Sequence, residues 1–205
     1  MSEQVAEGNT LGLKYTVNAT TGIVKSSETR TETEVTGNVS GGGAANTPVS
    51  GKVETKVTNY QNIFLTDEAG KDHAIELKNF LVPCTEGQDL TLFKLAKGSG
   101  DDGTCIQAFN KSTGKLYKND KGLSAAMFPW LSFSAALVVM VLIIWNSTGS
   151  NPSFDGFERF AATFIASGIG LLVLYAIAKI FAAVRGSRVL ADAAYKSYLD
   201  RLRSS

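Results

Sequence analysis

From Ser124 to Trp145 the chain carries no charged residue: "SAAMFPWLSFSAALVVMVLIIW". Twenty-two residues rise about 33 Å as an α-helix, against about 30 Å for the hydrocarbon core of a bilayer. A buried helix of a soluble domain rarely sustains that length without a charge. A second run, "FAATFIASGIGLLVLYAIAKIFAAV", covers residues 160–184 and is uncharged from Phe160 to Ala178. Lys179 stands near one end of it, where its stem can snorkel to the interface. The connecting "NSTGSNPSFDGFER" is short and holds Gly and Pro breakers. The sequence therefore predicts a transmembrane helical hairpin over 123–184, with helices at about 124–145 and 160–184.

The flanks fit that reading. Phe128 and Trp130 lie near the first end, and Trp145, Phe154, Phe157 and Phe160 cluster at the turn. Trp130, Trp145, Lys179 and Arg185 are the expected lipid-interface anchors. Pro129 falls in the first turns, where its missing N–H costs little or makes a mild kink. Lys111, Lys115, Lys118 and Lys121 precede the hairpin, and Arg185, Arg188, Lys196, Arg201 and Arg203 follow it. The turn holds only Arg159, so both termini are expected in the cytoplasm. The opening "MSEQVAEGNTLGLKY" has neither the basic nor the apolar region of a secretory signal. The expected place is a bacterial inner membrane. Cys84 and Cys105 show no metal or redox spacing and are expected as thiols in a reducing compartment.

Ala162, Ala166 and Gly170 recur every four residues on the second helix. Such a stripe lets backbones approach closely in lipid. Two uses stay open: packing on the chain's own first helix at Ser132 and Ala136, or an interface between protomers. No Asp, Glu, Arg or His lies at mid-membrane, so nothing marks a proton relay or transport site. The hydroxyls of Ser132, Ser134, Thr163 and Ser167 would line a water path only in an oligomer; such groups more often bond back to their own helix. Residues 185–205 read as a basic amphipathic helix continuing the second span, with Ala191, Tyr195, Tyr198 and Leu202 on one face. Its expected destinations are anionic lipid, another helix or solvent.

The first 122 residues are polar, and the whole chain balances 20 basic against 19 acidic residues. Nothing there draws in nucleic acid. Residues 1–48 form a Thr- and Gly-rich segment, either strand or structureless tail. In it Leu13, Tyr15, Val17 and Ala19 alternate with Lys14, Thr16, Asn18 and Thr20, before an expected turn at Thr21–Gly22. "SGGGAANTPVSG", residues 40–51, reads as a linker; no Lys-Ser/Thr follows, which excludes a phosphate loop. Residues 49–122 read as a small all-β module, a barrel or sandwich of about five strands. Its clearest hairpin is "NIFLTDEAGKDHAIEL", turning at Asp67–Lys71. "DEAGKD" and "GSGDDG" lack calcium-loop spacing and read as turns.

His73 is the only histidine and has no nucleophile indicated near it. Tyr60, Phe64, Phe80, Phe93 and Phe109 sit at strand spacing, where aromatics are usually core rather than a stacking platform. No catalytic, cofactor or metal motif emerges. The fold class expected is therefore a mixed membrane protein: a cytosolic all-β module, a two-helix hairpin and a short C-terminal cytosolic helix. The function expected is a non-enzymatic anchor whose β-module holds a protein partner at the bilayer. The alternative is a homo-oligomer that forms or modulates a pore.

Overall fold

The structure is a computed structural model that describes residues 2–40, 50–98, 103–149 and 156–204. The linker expected at 40–51, the "GSGDDG" turn and the helix–helix connection lie largely outside the described residues.

One antiparallel sheet holds all seven strands: β1 (Ser2–Thr10), β2 (Leu13–Ser40), β3 (Ser50–Thr66), β4 (Asp72–Lys78), β5 (Asp89–Lys97), β6 (Thr104–Asn110) and β7 (Lys115–Lys118). The order is β4-β3-β2-β5-β6-β7, with β1 beside β2. Long β2 organises it. Leu13–Ile23 runs between β1 and β5, and Ile23–Ser40 pairs with β3. Residues 1–48 and 49–122 thus contribute to one sheet.

The alternation over 13–20 has its expected meaning. Tyr15, Val17 and Ala19 all enter one core. The turn expected at Thr21–Gly22 is absent, and β2 runs straight through it. The chain reverses earlier, at Leu11–Gly12, where both residues have positive φ (48° and 78°). Gly22 has a different role. A Cβ there would lie 2.6 Å from the Thr66 carbonyl oxygen, so glycine admits the end of β3 where β2 changes neighbours. The 62–77 hairpin forms as β3 and β4. Its turn is tied by Lys71 N–H donating to Asp67 Oδ1 at 2.9 Å and by Asp67 N–H donating to the Lys71 carbonyl at 2.9 Å.

The expected barrel does not form. β4 and β7 stand at opposite ends of the strand order and are not joined. Closure is unnecessary because other elements cover both faces. One face carries Tyr15, Val17, Phe93, Leu95, Ile106 and Phe109 and is covered by helices. The other gathers Val24, Ile63, Leu65, Leu77, Leu90 and Leu92 beneath Phe80 and Val82 of the β4–β5 connection.

Four helices follow: α1 (Asp120–Met127), α2 (Trp130–Gly149), α3 (Gly156–Leu190) and α4 (Ala193–Ser204). Asn119 caps α1, its Oδ1 accepting from Gly122 N–H at 2.8 Å. Its Nδ2 donates to the Cys105 carbonyl at 2.8 Å, fixing α1 to β6. The first expected span, 124–145, is not one helix. Phe128 takes an extended conformation (ψ 130°), as the residue before a proline prefers. α1 and Ser132–Ile143 consequently meet at 58°. Leu123, Met127 and Phe128 then pack in the sheet's core rather than in lipid. Among the described residues, one helix is long and apolar enough by itself to cross a membrane, at Ser167–Leu190; a second counts only if the bent α1–α2 pair is one span. The mixed plan of a large antiparallel sheet followed by apolar helices holds, whereas the two-helix hairpin of full-length spans does not.

The C-terminal segment also differs from expectation. α3 continues to Leu190 and breaks before Asp192, and α4 turns back onto the sheet. Tyr195 and Leu199 are buried there, with Tyr198 and Leu202 packed beside them. The apolar face is real, but its partner is the chain's own sheet, so it is not available to lipid.

Candidate functional site: the exposed apolar helices and their junction with the sheet

The most unusual surface in the molecule is hydrocarbon. Val138, Val139, Leu142 and Ile143 of α2, with Ile165, Ile169, Leu172 and Val173 of α3, are each more than half exposed. Left in water, such side chains forgo about 1.5–3 kcal/mol apiece relative to burial. A contiguous patch of this size marks a contact surface.

α2 and α3 lean together through small residues and rings. A Cβ added to Gly170 would run into Met140 Sδ, so this glycine receives an α2 side chain. Ser132 and Ala136 lie further down, lining a groove of about 190 Å³ with Pro129, Phe133, Leu174, Ile177, Ala178, Phe181 and Arg185. The structure thus brings Ser132 and Ala136 together opposite the Leu174–Ala178 stretch, while Gly170 meets Met140. The side chains of Ala162, Ala166, Thr163 and Trp145 lie outside the described residues. Ser134 Oγ donates to its own helix at the Trp130 carbonyl, 2.8 Å away.

At the foot of the helices the aromatic set clusters. Phe128 meets Trp130 at 4.5 Å between centroids, Phe133 at 5.6 Å and Tyr175 at 6.1 Å. Trp130 remains 63% exposed. Lys179 Nζ stands 5.5 Å above the Tyr175 ring. Arg185 is engaged differently. Its guanidinium donates to the Leu11 carbonyl at 2.7 Å and the Met127 carbonyl at 3.4 Å. It joins α3 to the β1–β2 turn and to the end of α1.

The other end of that junction was not foreseen. Asp192 Oδ1 accepts from Ala194 N–H at 2.9 Å and Tyr195 N–H at 3.3 Å, capping α4. Its other oxygen accepts from Tyr15 OH at 2.9 Å. Tyr195 OH donates to Gln107 Oε1 at 2.6 Å in the interior, and its ring stands edge-on to Phe93 at 5.2 Å. Burial, then the hydrogen bond and charge of Asp192, push the Tyr15 phenol up to about 12. Burial also raises the Tyr195 phenol. The one signal in the sequence was "LADAAYKSY", an Asp just ahead of a helical pattern.

Several polar and thiol groups of the sheet have structural surroundings. His73 Nε2 and Asp67 Oδ2 lie 2.9 Å apart beside the β3–β4 turn, so His73 braces the hairpin. Cys105 is a buried free thiol pushed up to about 12 by desolvation, and Cys84 is a half-buried one raised for the same reason. Phe80, Phe93 and Phe109 are core. Among the described residues no three His, Cys, Asp or Glu side chains gather as a metal site.

Compared with protein-family models, curated proteins and solved structures, the chain gives no match. The fold and its surfaces define a class, a β-sheet domain carried on apolar helices, one of which is long enough to cross a membrane.

Proposed function

We propose that the chain is a non-enzymatic membrane anchor whose sheet binds protein at the bilayer surface. In this reading α2 and the upper part of α3 enter the membrane as a hairpin. Ala178, Ala182 and Val189, lower on α3, are already covered by the sheet domain. The observation that carries the reading is the hydrocarbon surface of α2 and α3, which nothing else in the described chain covers. The aromatic cluster around Trp130 and the cation at Lys179 mark the boundary on the domain's side. Tyr198 OH donates to Glu3 at 3.2 Å, so β1 and α4 emerge at the same end of the helix pair. That supports both termini on one side, and the Lys and Arg flanks argue for the cytoplasmic side.

Retention in membranes through alkaline carbonate extraction tests the anchor. The wild-type chain stays in the pellet. Ile169→Lys places a charge at mid-helix, costs about 2.5–3.5 kcal/mol of insertion and moves a large part of the protein to the supernatant. Complete release of the wild type sinks the reading.

A further inference from the structure

The sheet has one long strand edge with an arrangement of charge that matches itself. β4 covers β3 only from Tyr60 to Thr66. Beyond that point β2 and β3 continue alone for ten residue pairs, Thr31↔Asn59 to Ser40↔Ser50. This is a two-stranded arm about 34 Å long. A ribbon of two strands is marginal in water without further pairing or packing. Among the described residues nothing pairs with the outer edge of β3 from Gly51 to Thr58.

The polar groups on that edge have a known direction. Asn59 N–H donates to Asn79 Oδ1 at 3.0 Å, and Asn79 N–H donates to the Asn59 carbonyl at 2.7 Å. Both backbone groups of Asn59 therefore point away from β2. The β2–β3 register is unbroken along the arm, so Val57, Thr55 and Val53 point theirs the same way, into open space. On one side of the ribbon this strand presents Lys52, Glu54 and Lys56. On the other it presents Val53, Thr55 and Val57, the two valines 69% and 52% exposed.

We infer that this edge of β3 is a docking strand for a second copy of the chain, the two edges pairing antiparallel about Thr55. The inference rests on the reading of the sheet as a protein-binding module and names its partner. A two-fold axis at Thr55 sets Val53 opposite the second copy's Val57, and Thr55 opposite its counterpart. These are the pairs whose N–H and C=O groups face outward, so they exchange six backbone hydrogen bonds. The intervening, closely spaced pairs put Glu54 opposite Lys56 twice and Lys52 opposite Thr58 twice. Opposite charges directly across an antiparallel pair attract, and like charges repel. Moving the axis by one residue sets Glu54 on Glu54 or Lys56 on Lys56. An axis at Val53 also avoids like charges over an overlap of the same length, residues 50–56, but it sets Glu54 opposite Lys52 instead of Lys56 and leaves Val57 unpaired; the response to Lys52→Glu separates the two registers. The outer edge of β2 is less well matched to itself. Axes at Thr31, Glu32 or Thr33 oppose Glu28 to Glu34, Glu32 to itself, or Glu32 to Glu34, and an axis at Val35 opposes no charged pair at all. The result is a continuous sheet, β2-β3-β3-β2, across the two-fold.

The test is the mass of the full-length protein in mild detergent across a concentration series, with circular dichroism confirming folded variants. The wild type is a dimer. Lys56→Glu or Glu54→Lys alone weakens association at least tenfold. The double variant, Glu54→Lys with Lys56→Glu, recovers it, although Glu34 still faces the altered residue 56 within each chain. Thr55→Pro removes an outward N–H without touching the β2 ladder and gives monomer, whereas Lys52→Glu stays dimeric. A monomeric wild type overturns the inference. So does a dimer indifferent to Lys56→Glu, a double variant that fails to recover, or a Lys52→Glu variant as weak as Lys56→Glu. Association is read in micelles and anchoring by extraction, so either reading fails without the other.

Discussion

Removing one oxygen atom from Tyr195 tests whether α4 is part of the sheet's core. The ring is fully buried, and its hydroxyl donates to Gln107 Oε1 at 2.6 Å, where Gln107 is itself only 3% exposed. Tyr195→Phe keeps the edge-on contact with Phe93 and deletes the donor. The amide oxygen of Gln107 then loses that partner in a place water does not reach, which costs about 1–3 kcal/mol. Tyr195→Ala removes the ring as well and costs about 3–5 kcal/mol, the range for an aromatic side chain taken from a core. Tyr198→Phe is the control. Its hydroxyl reaches Glu3 at 3.2 Å in an exposed contact, so its loss stays within about 0.5 kcal/mol. Urea unfolding of the full-length chain in mild detergent, followed by near-ultraviolet circular dichroism, gives the three numbers. Equal stability of Tyr195→Phe and Tyr198→Phe would refute the docking of α4. Fast amide exchange throughout α4 in the wild type would refute it independently.

Three further outcomes follow from particular contacts. Gly22→Ala sets a Cβ 2.6 Å from a backbone oxygen of Thr66, which has no side chain to swing away; destabilisation of about 1–3 kcal/mol is expected in the same denaturation assay. At Gly170 the obstacle is the flexible end of Met140, so Gly170→Ala leaves the melting temperature nearly unchanged, while Gly170→Leu parts α2 from α3 and lowers it. Stability falls as pH rises above about 9. Unfolded, Cys105 and Tyr15 ionise near 9 and 10; folded, both hold their protons to about 12. The unfolded chain therefore binds fewer protons in that window, and alkali favours it. Melting temperatures between about pH 8 and 11 check the slope, and Cys105→Ala delays its onset towards the tyrosine range.

Much of the fold was legible locally. The 62–77 hairpin announces itself through Asp67 and Gly70, because a turn is made by the residues within it. The alternation from Leu13 to Thr20 gave the inward face of β2 for a similar reason: side chains in a strand alternate whatever lies beside them. Two of the failures were decided at a distance. Gly22 resembles a turn residue, yet its need for glycine comes from Thr66, more than forty positions away. The Tyr195 face resembles a lipid-binding stripe, and only Gln107 and Phe93 on distant strands show what covers it. At Gly170, expected as a place of close approach, the side chain that an added Cβ would meet is that of Met140.

The sequence by itself determined how much hydrocarbon this chain must hide and where it lies: two apolar runs, their polar connection, and a strand-forming half ahead of them. Hydropathy adds up side chains one at a time, and that sum is local. The tertiary structure decided what does the hiding. Leu123, Met127 and Phe128 belong to the same uncharged run as Val138, Val139 and Leu142, and composition does not tell them apart. The extended Phe128 before Pro129 turns the first group into the sheet's core and sends the second out along α2. Burial is a relation between a side chain and its neighbours, and neighbours brought together from opposite ends of the chain exist only once it has folded.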